Sequence, residues 1–200
     1  MDDLFAAPEE HHSLFFALLP DACTIAGIHA ARQALEAGLP SQRGAGVPDD
    51  RLHLTLQWLG EWSQLPQGVV DAARSAGGSL QLDGFDLCLD QAECFGHGEA
   101  IWVLRPSAPP QELPALHAAL ARALGQQRLR LPPGPAFAPH VTVRRRASTR
   151  FAPCATPAVA WQVRDFALLH SRRTTAGTTY QVLGRWPLAV ETTDRGGPGG

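Results

Sequence analysis

Two tetrapeptides in this chain carry an imidazole and a hydroxyl two residues apart, His53-Leu54-Thr55-Leu56 and His140-Val141-Thr142-Val143. In a strand, side chains alternate between faces. His53 and Thr55 therefore leave one face together while Leu52, Leu54 and Leu56 enter a core, and His140 and Thr142 do the same against Val141 and Val143. A single His-x-Thr among 8 histidines in 200 residues carries little weight. Two copies, each with aliphatic residues at the alternate positions, point to function. Histidine titrates near neutrality, so two imidazoles facing one cleft can divide proton work, one as base and one as acid. Such a pair suits phosphodiester cleavage, which removes a proton from the attacking oxygen and delivers one to the leaving oxygen, while hydroxyls hold the non-bridging oxygens. No cofactor is needed for that chemistry.

Competing chemistries lack their residues. Neither motif has an Asp, a Glu or a second His at a ligand spacing, so no metal site is expected. There is no Gly-x-Ser-x-Gly elbow, no Gly-x-Gly-x-x-Gly loop and no Walker-type loop. The net charge of -2 excludes a globally basic nucleic-acid binder, yet all 17 basic residues are Arg, several of them grouped as Arg144, Arg145, Arg146 and Arg150, then Arg172 and Arg173. Planar guanidinium groups grip phosphate well. The four cysteines, Cys23, Cys88, Cys94 and Cys154, form no Cys-x-x-Cys pair and read as reduced, mostly buried thiols. With no membrane-length apolar run and an acidic start, the expected setting is the cytoplasm.

The elements that must position the motifs are legible in outline. Ser13 to Leu19 reads as a buried strand, halted at Pro20, and a helix follows from about Asp21 to Ala37 with Gly38 as its stop. A Gly-rich loop from Pro40 to Val47 leads to the first motif strand, Arg51 to Trp58, ended by Gly60. A second helix is expected from Leu65 to Ala76, then alternating apolar residues from Leu80 to Leu89, a strand at Ile101 to Leu104, and an Ala/Leu-rich helix from Pro110 to Gln127. Pro132 to Pro135 forms a loop before the second motif strand. Two apolar strands, Trp161 to Ser171 and Tyr180 to Leu188, turn around Gly177. This order predicts an α+β fold with a loose internal repeat, its motifs 87 residues apart. Residues 1–12 read as a polar N-terminal extension, 13–188 as one bilobal domain and 189–200 as a flexible Gly-rich tail.

The chain resembles the two-histidine phosphoesterases and, within them, the RNA 2',3'-cyclic phosphodiesterases also called 2'-5' RNA ligases. The resemblance spans residues 13–188. It rests on Leu14-Phe15-Phe16-Ala17, on Leu52-His53-Leu54-Thr55-Leu56 with Leu59-Gly60-Glu61, and on Phe137-Ala138-Pro139-His140-Val141-Thr142-Val143, with later echoes at Ser171 and Tyr180. It implies two pseudo-symmetric lobes of antiparallel sheet and helix around a central cleft, one motif from each. It further implies metal-independent hydrolysis of RNA or oligonucleotide 2',3'-cyclic phosphate ends to a 2'-phosphate, with His53 as acid, His140 as base and Thr55 and Thr142 on the phosphate. Reverse 2'-5' ligation would run on the same groups. An RNA end is the partner implied; no membrane or protein partner is. A non-catalytic module binding RNA ends or cyclic nucleotides is the alternative.

An Arg two places beyond the second motif is usual in that family, and Arg145 stands there, whereas strict alternation from His140 would turn Arg144 and Arg146 to the cleft. A bulge would decide between them. Phe137, just before the motif, is a candidate for stacking a nucleobase. Trp58, Trp102, Trp161 and Trp186 read as core. His11 and His12 fall in the mobile start, while His29, His97 and His117 read as surface or packing residues.

Overall fold

The computed structural model describes residues 10–40, 44–96 and 98–189. Within them the chain forms strands β1 (His11–Leu18), β2 (Leu54–Trp62), β3 (Phe85–Phe95), β4 (Ala100–Arg105), β5 (Val141–Ala147), β6 (Cys154–Val163), β7 (Asp165–Thr174) and β8 (Gly177–Pro187). Helices α1 (Ala22–Ala37), α2 (Gln67–Gly78) and α3 (Glu112–Gln126) lie between them. One antiparallel sheet runs in the order β6-β3-β4-β5-β2-β1-β7-β8. Its two halves correspond: β1-α1-β2 and β4-α3-β5 are each strand, helix, strand, and the second strand of each unit carries a motif and lies at the inner seam. There β2 and β5 share one registered pair, Leu54 with Val141. No helix among the described residues is long and apolar enough to cross a membrane.

Local sequence explains the elements. Asp21 caps α1, its carboxylate accepting from the Thr24 amide at 2.7 Å, and Gly38 follows the last turn. Thr24, Ile28 and Ala31 are buried at helical spacing and form the inner face of α1. That face lies on β6, in the opposite half of the sheet, so closely that a Cβ on Gly27 would come within 2.9 Å of Val159. In exchange, α3 reaches across to β2 and α2. The helices thus tie the two halves together although the strands scarcely pair at the seam. In β1, Leu14, Phe16 and Leu18 join the main core while Phe15 and Ala17 form a second cluster with Ala167 and Leu169 on the other face. Both faces being covered, the strand reads as an unbroken apolar run.

Several expectations change. β1 begins at His11, so His11 and His12 belong to the sheet and pair with Arg173 and Arg172 of β7. Gly60 does not end the first motif strand: β2 continues to Trp62, with Gly60 at φ 144 and the Trp62 indole lying over it. The segment expected as one strand from Trp161 to Ser171 is the end of β6 and most of β7, folded back at Arg164. Helix α2 starts and ends two residues later than expected. Trp102 and Trp161 are core and Trp186 packs partly buried against it, but Trp58 is 44% exposed because it pairs with Phe15 on the outer face of β2. The four cysteines are free, yet Cys23, Cys88 and Cys154 are exposed, on an outer helix face and at outward strand positions. The Gly-rich end of the tail and His97 lie outside the described residues.

Candidate active site

Leu54 and Val141 are the hinge of the site. Both are fully buried, and in an antiparallel pair the residue before one lies across from the residue after the other. His53 therefore stands opposite Thr142, and Thr55 opposite His140, all four directed to the face that Leu54 and Val141 leave. The two imidazoles occupy opposite sides of the buried pair along the seam. A cavity of about 320 Å³ opens on the His53 side, lined by loop 44–48 and by Arg51, His53, Thr142, Arg145, Arg146 and Tyr180. Thr55 and His140 lie beyond that lining, on the other side of the pair.

The same local device holds each ring. His53 Nδ1 donates to the carbonyl of Arg51 at 2.8 Å, and His140 Nδ1 donates to the carbonyl of Ala138 at 2.7 Å. A carbonyl only accepts, so Nδ1 carries the hydrogen and Nε2 is left for chemistry. Aromatic rings wall both imidazoles: Phe15 and Tyr180 stand 5.1 and 5.4 Å from His53, and Phe95 stands edge-on 4.8 Å from His140. Burial pushes His53 down to about 4, with the charges of Arg145 and His140 acting in the same direction. Burial also lowers His140, again helped by Arg145 and by Arg105. Tyr180 shifts upward because it too is desolvated.

A bulge decides among the arginines. On β4, Val103 pairs with Thr142 and its neighbour Trp102 with Arg144, so Val143 is an extra residue on β5, and beyond it Arg144 follows Trp102 while Arg145 falls on the cavity side. A second irregularity, Arg145 and Arg146 facing Ile101 alone with Arg146 at φ 57, brings Arg146 to the cavity as well. Arg144, which simple alternation would have sent there, instead lies 5.6 Å over the Trp102 ring and bonds Glu36 and the Gly44 carbonyl, each at 2.6 Å. The other grouped arginines have structural partners: Arg150 holds the carbonyls of Gly96 and Gly98, Arg172 holds Glu10, and Arg173 reaches Glu61.

Phe137 does not line the cavity. Its ring lies flat on His117, with centroids 4.2 Å apart, and His117 is held by the Leu56 carbonyl at 2.7 Å, so one face of Phe137 is already covered. His29 bonds Asp49, and His12 meets His170 at 2.9 Å, away from the motifs. Among the described residues no group of three or more His, Cys, Asp or Glu side chains gathers to hold a metal. Sequence reasoning gave no role to Arg51 or loop 44–48, and it noted Tyr180 only as an echo. The one available signal was that Tyr180 is the only tyrosine in the chain.

A two-lobed antiparallel sheet with one His-x-Thr motif from each half at the seam defines the class, and the chain belongs to the 2'-5' RNA ligase superfamily, whose family model matches residues 19–175. It is similar to the RNA 2',3'-cyclic phosphodiesterase of Escherichia coli (strain K12), 32% identical over 154 residues, which cover 74% of this chain and 82% of that protein. Among solved structures it resembles E. coli LigT in its apo form, with a TM-score of 0.71 and 28% identity over 90% of this chain and 99% of that one. TT0787 of Thermus thermophilus also matches at TM-score 0.71, with 25% identity over 90% and 99% of the two chains.

Proposed function

We propose that this protein hydrolyses the 2',3'-cyclic phosphate end of RNA or oligonucleotides to a 2'-phosphate without a metal, using His140 as base and His53 as acid. The observation that carries the reading is the matched pair of imidazoles, each fixed through Nδ1 and each offering Nε2, on opposite sides of one buried residue pair. His140 Nε2 takes a proton from water as its oxygen bonds to phosphorus. The bond from phosphorus to O3' breaks, and protonated His53 gives its proton to O3'. Thr55, Thr142 and Arg145 hold the non-bridging oxygens as charge gathers on them. Solvent then returns each imidazole to its starting state. With the 5'-hydroxyl of a second strand in place of water, the same groups join the strands through a 2'-5' linkage.

Burial holds His53 near 4, so its acid role needs an anionic substrate that favours the protonated ring. A phosphate anion beside the ring favours the imidazolium against the burial that depresses it, and by engaging Arg145 it also offsets that residue's repulsion. E. coli LigT has been solved in complex with 3'-AMP and with phosphate, which supports a nucleotide phosphate as a ligand of this protein. We expect the cytoplasm as the setting, a reading the four free cysteines support. The test is turnover of a nucleoside 2',3'-cyclic phosphate after exhaustive chelation, with the product identified by phosphorus NMR. A 2'-monophosphate formed at an undiminished rate is expected. Activity lost with chelator and restored by a divalent metal would contradict the acid-base account.

A further inference from the structure

The cavity beside His53 holds more positive charge than one cyclic phosphodiester requires. Arg51, Arg145 and Arg146 line it together. Arg146 is spread toward solvent and reaches Glu99 at 3.6 Å. Arg51 and Arg145 have no carboxylate partner among the described residues, in contrast to Arg144, Arg172 and Arg173. Both unpaired charges act on Tyr180, with the Asp50 carboxylate opposing them. A cyclic phosphodiester carries a single negative charge, and Arg145, whose charge already reaches both imidazoles, is enough to meet it. That leaves Arg51 as a surplus cation in a cavity whose size, about 320 Å³, is that of a small-ligand pocket.

Arg51 also stands in a defined relation to the reacting centre. It closes the 3-10 turn Asp49–Arg51, and its carbonyl is the group that fixes His53. Its guanidinium therefore cannot drift far from the His53 end of the seam, while His140 lies at the other end. Loop 44–48 closes the cavity around it, with Gly46 pressed against the Arg32 guanidinium and Gly44 against the β5 backbone, so small residues give the loop its close approach. Resting on the function proposed above, we infer that Arg51, with Arg146 at the rim, receives a second phosphate of the substrate: the internucleotide phosphate on the 5' side of the terminal, cyclic-phosphate-bearing nucleotide. The protein then selects oligonucleotide ends over isolated nucleoside cyclic phosphates, and it does so by charge rather than by base.

The experiment compares adenosine 2',3'-cyclic phosphate with its 5'-phosphorylated form, which adds the second phosphate and no second base. The native protein should show kcat/KM higher by about tenfold or more for the 5'-phosphorylated substrate at low salt, the range of one charge-assisted contact. The advantage should shrink as salt is raised. In Arg51→Ala the ratio of the two substrates should fall close to one, and Arg51→Lys should restore part of it. The ratio is taken within each variant, so partial loss of folded enzyme cancels. A second arm needs no turnover: calorimetry should find adenosine 2',5'-bisphosphate binding more tightly than adenosine 2'-monophosphate, again through Arg51. Turnover of both substrates at equal efficiency by the native protein, or an unchanged ratio in Arg51→Ala, overturns the second-phosphate site. Turnover of neither substrate overturns the proposed function instead, and the calorimetric arm then decides the second site alone.

Discussion

Acid should destabilise this protein through His53 in particular. The ring is held neutral in the fold with its value near 4, against 6.5 for a free imidazole. Between these values the unfolded chain binds the proton and the folded one does not, so stability falls as pH drops from about 6.5 to about 4 and, for this group, is level outside that window. The full shift corresponds to about 3 kcal/mol, and about 2 kcal/mol of it is already lost at pH 5. That is a large share of the ~5 to 15 kcal/mol that typically holds a domain together. His53→Gln keeps a polar side chain that does not titrate. Urea unfolding of both proteins from pH 7.5 to pH 4.5 should therefore give curves that converge toward the acid end, the native protein losing about 2 kcal/mol more by pH 5. His140 and His170 are lowered by burial in both proteins and contribute to the shared slope. Parallel curves would show that the fold does not hold His53 neutral, and the proposed recruitment of its proton by substrate would lose its basis.

Smaller perturbations should separate the other parts. Thr55→Ala and Thr142→Ala each remove one hydrogen bond to a charged phosphate and should lower kcat/KM by about ten- to a hundredfold in steady-state assays, less than either imidazole. Gly60→Ala and Gly177→Ala both force a side chain onto positive φ, at 144 and 135, and should each cost about 1 to 3 kcal/mol in denaturant melts. Gly60→Ala should be the worse of the two, since its Cβ would come within 2.7 Å of the Trp62 indole while Gly177 faces open space. Phe137→Ala should lower stability through its lost stack on His117 without changing the preference among nucleobases, as measured on cyclic nucleotides of all four bases.

The motifs themselves were legible because period-two alternation is a local property: Leu54, Leu56, Val141 and Val143 are buried, and the residues between them are not. Helices α1 and α3 were also readable, from Asp21, Gly38 and the spaced leucines. What failed were properties set by distant partners. Gly60 looked like a terminator, but Trp62 and the neighbouring β1 carry the strand through it. His11 and His12 gain their order from Arg172 and Arg173 of β7, at the far end of the chain. The inward turn of Arg145 depends on the count of residues facing it on β4, which no local pattern reports. Arg51, and the place of Tyr180 beside it, escaped notice for the same reason, since the cavity that joins them is closed by loop 44–48 and β8, far apart in sequence.

The central claim is that two imidazoles work as one acid-base unit, and the most direct measurement is kcat on a nucleoside 2',3'-cyclic phosphate for His53→Ala, His140→Ala and the double variant, with folding checked by circular dichroism. Each single substitution should lower kcat by about a hundred- to ten-thousandfold. The double variant should fall little further than the worse single, because removing either partner already disables the pair. A folded His140→Ala protein with near-native kcat, or a double variant whose loss is the product of the two singles, would contradict the account.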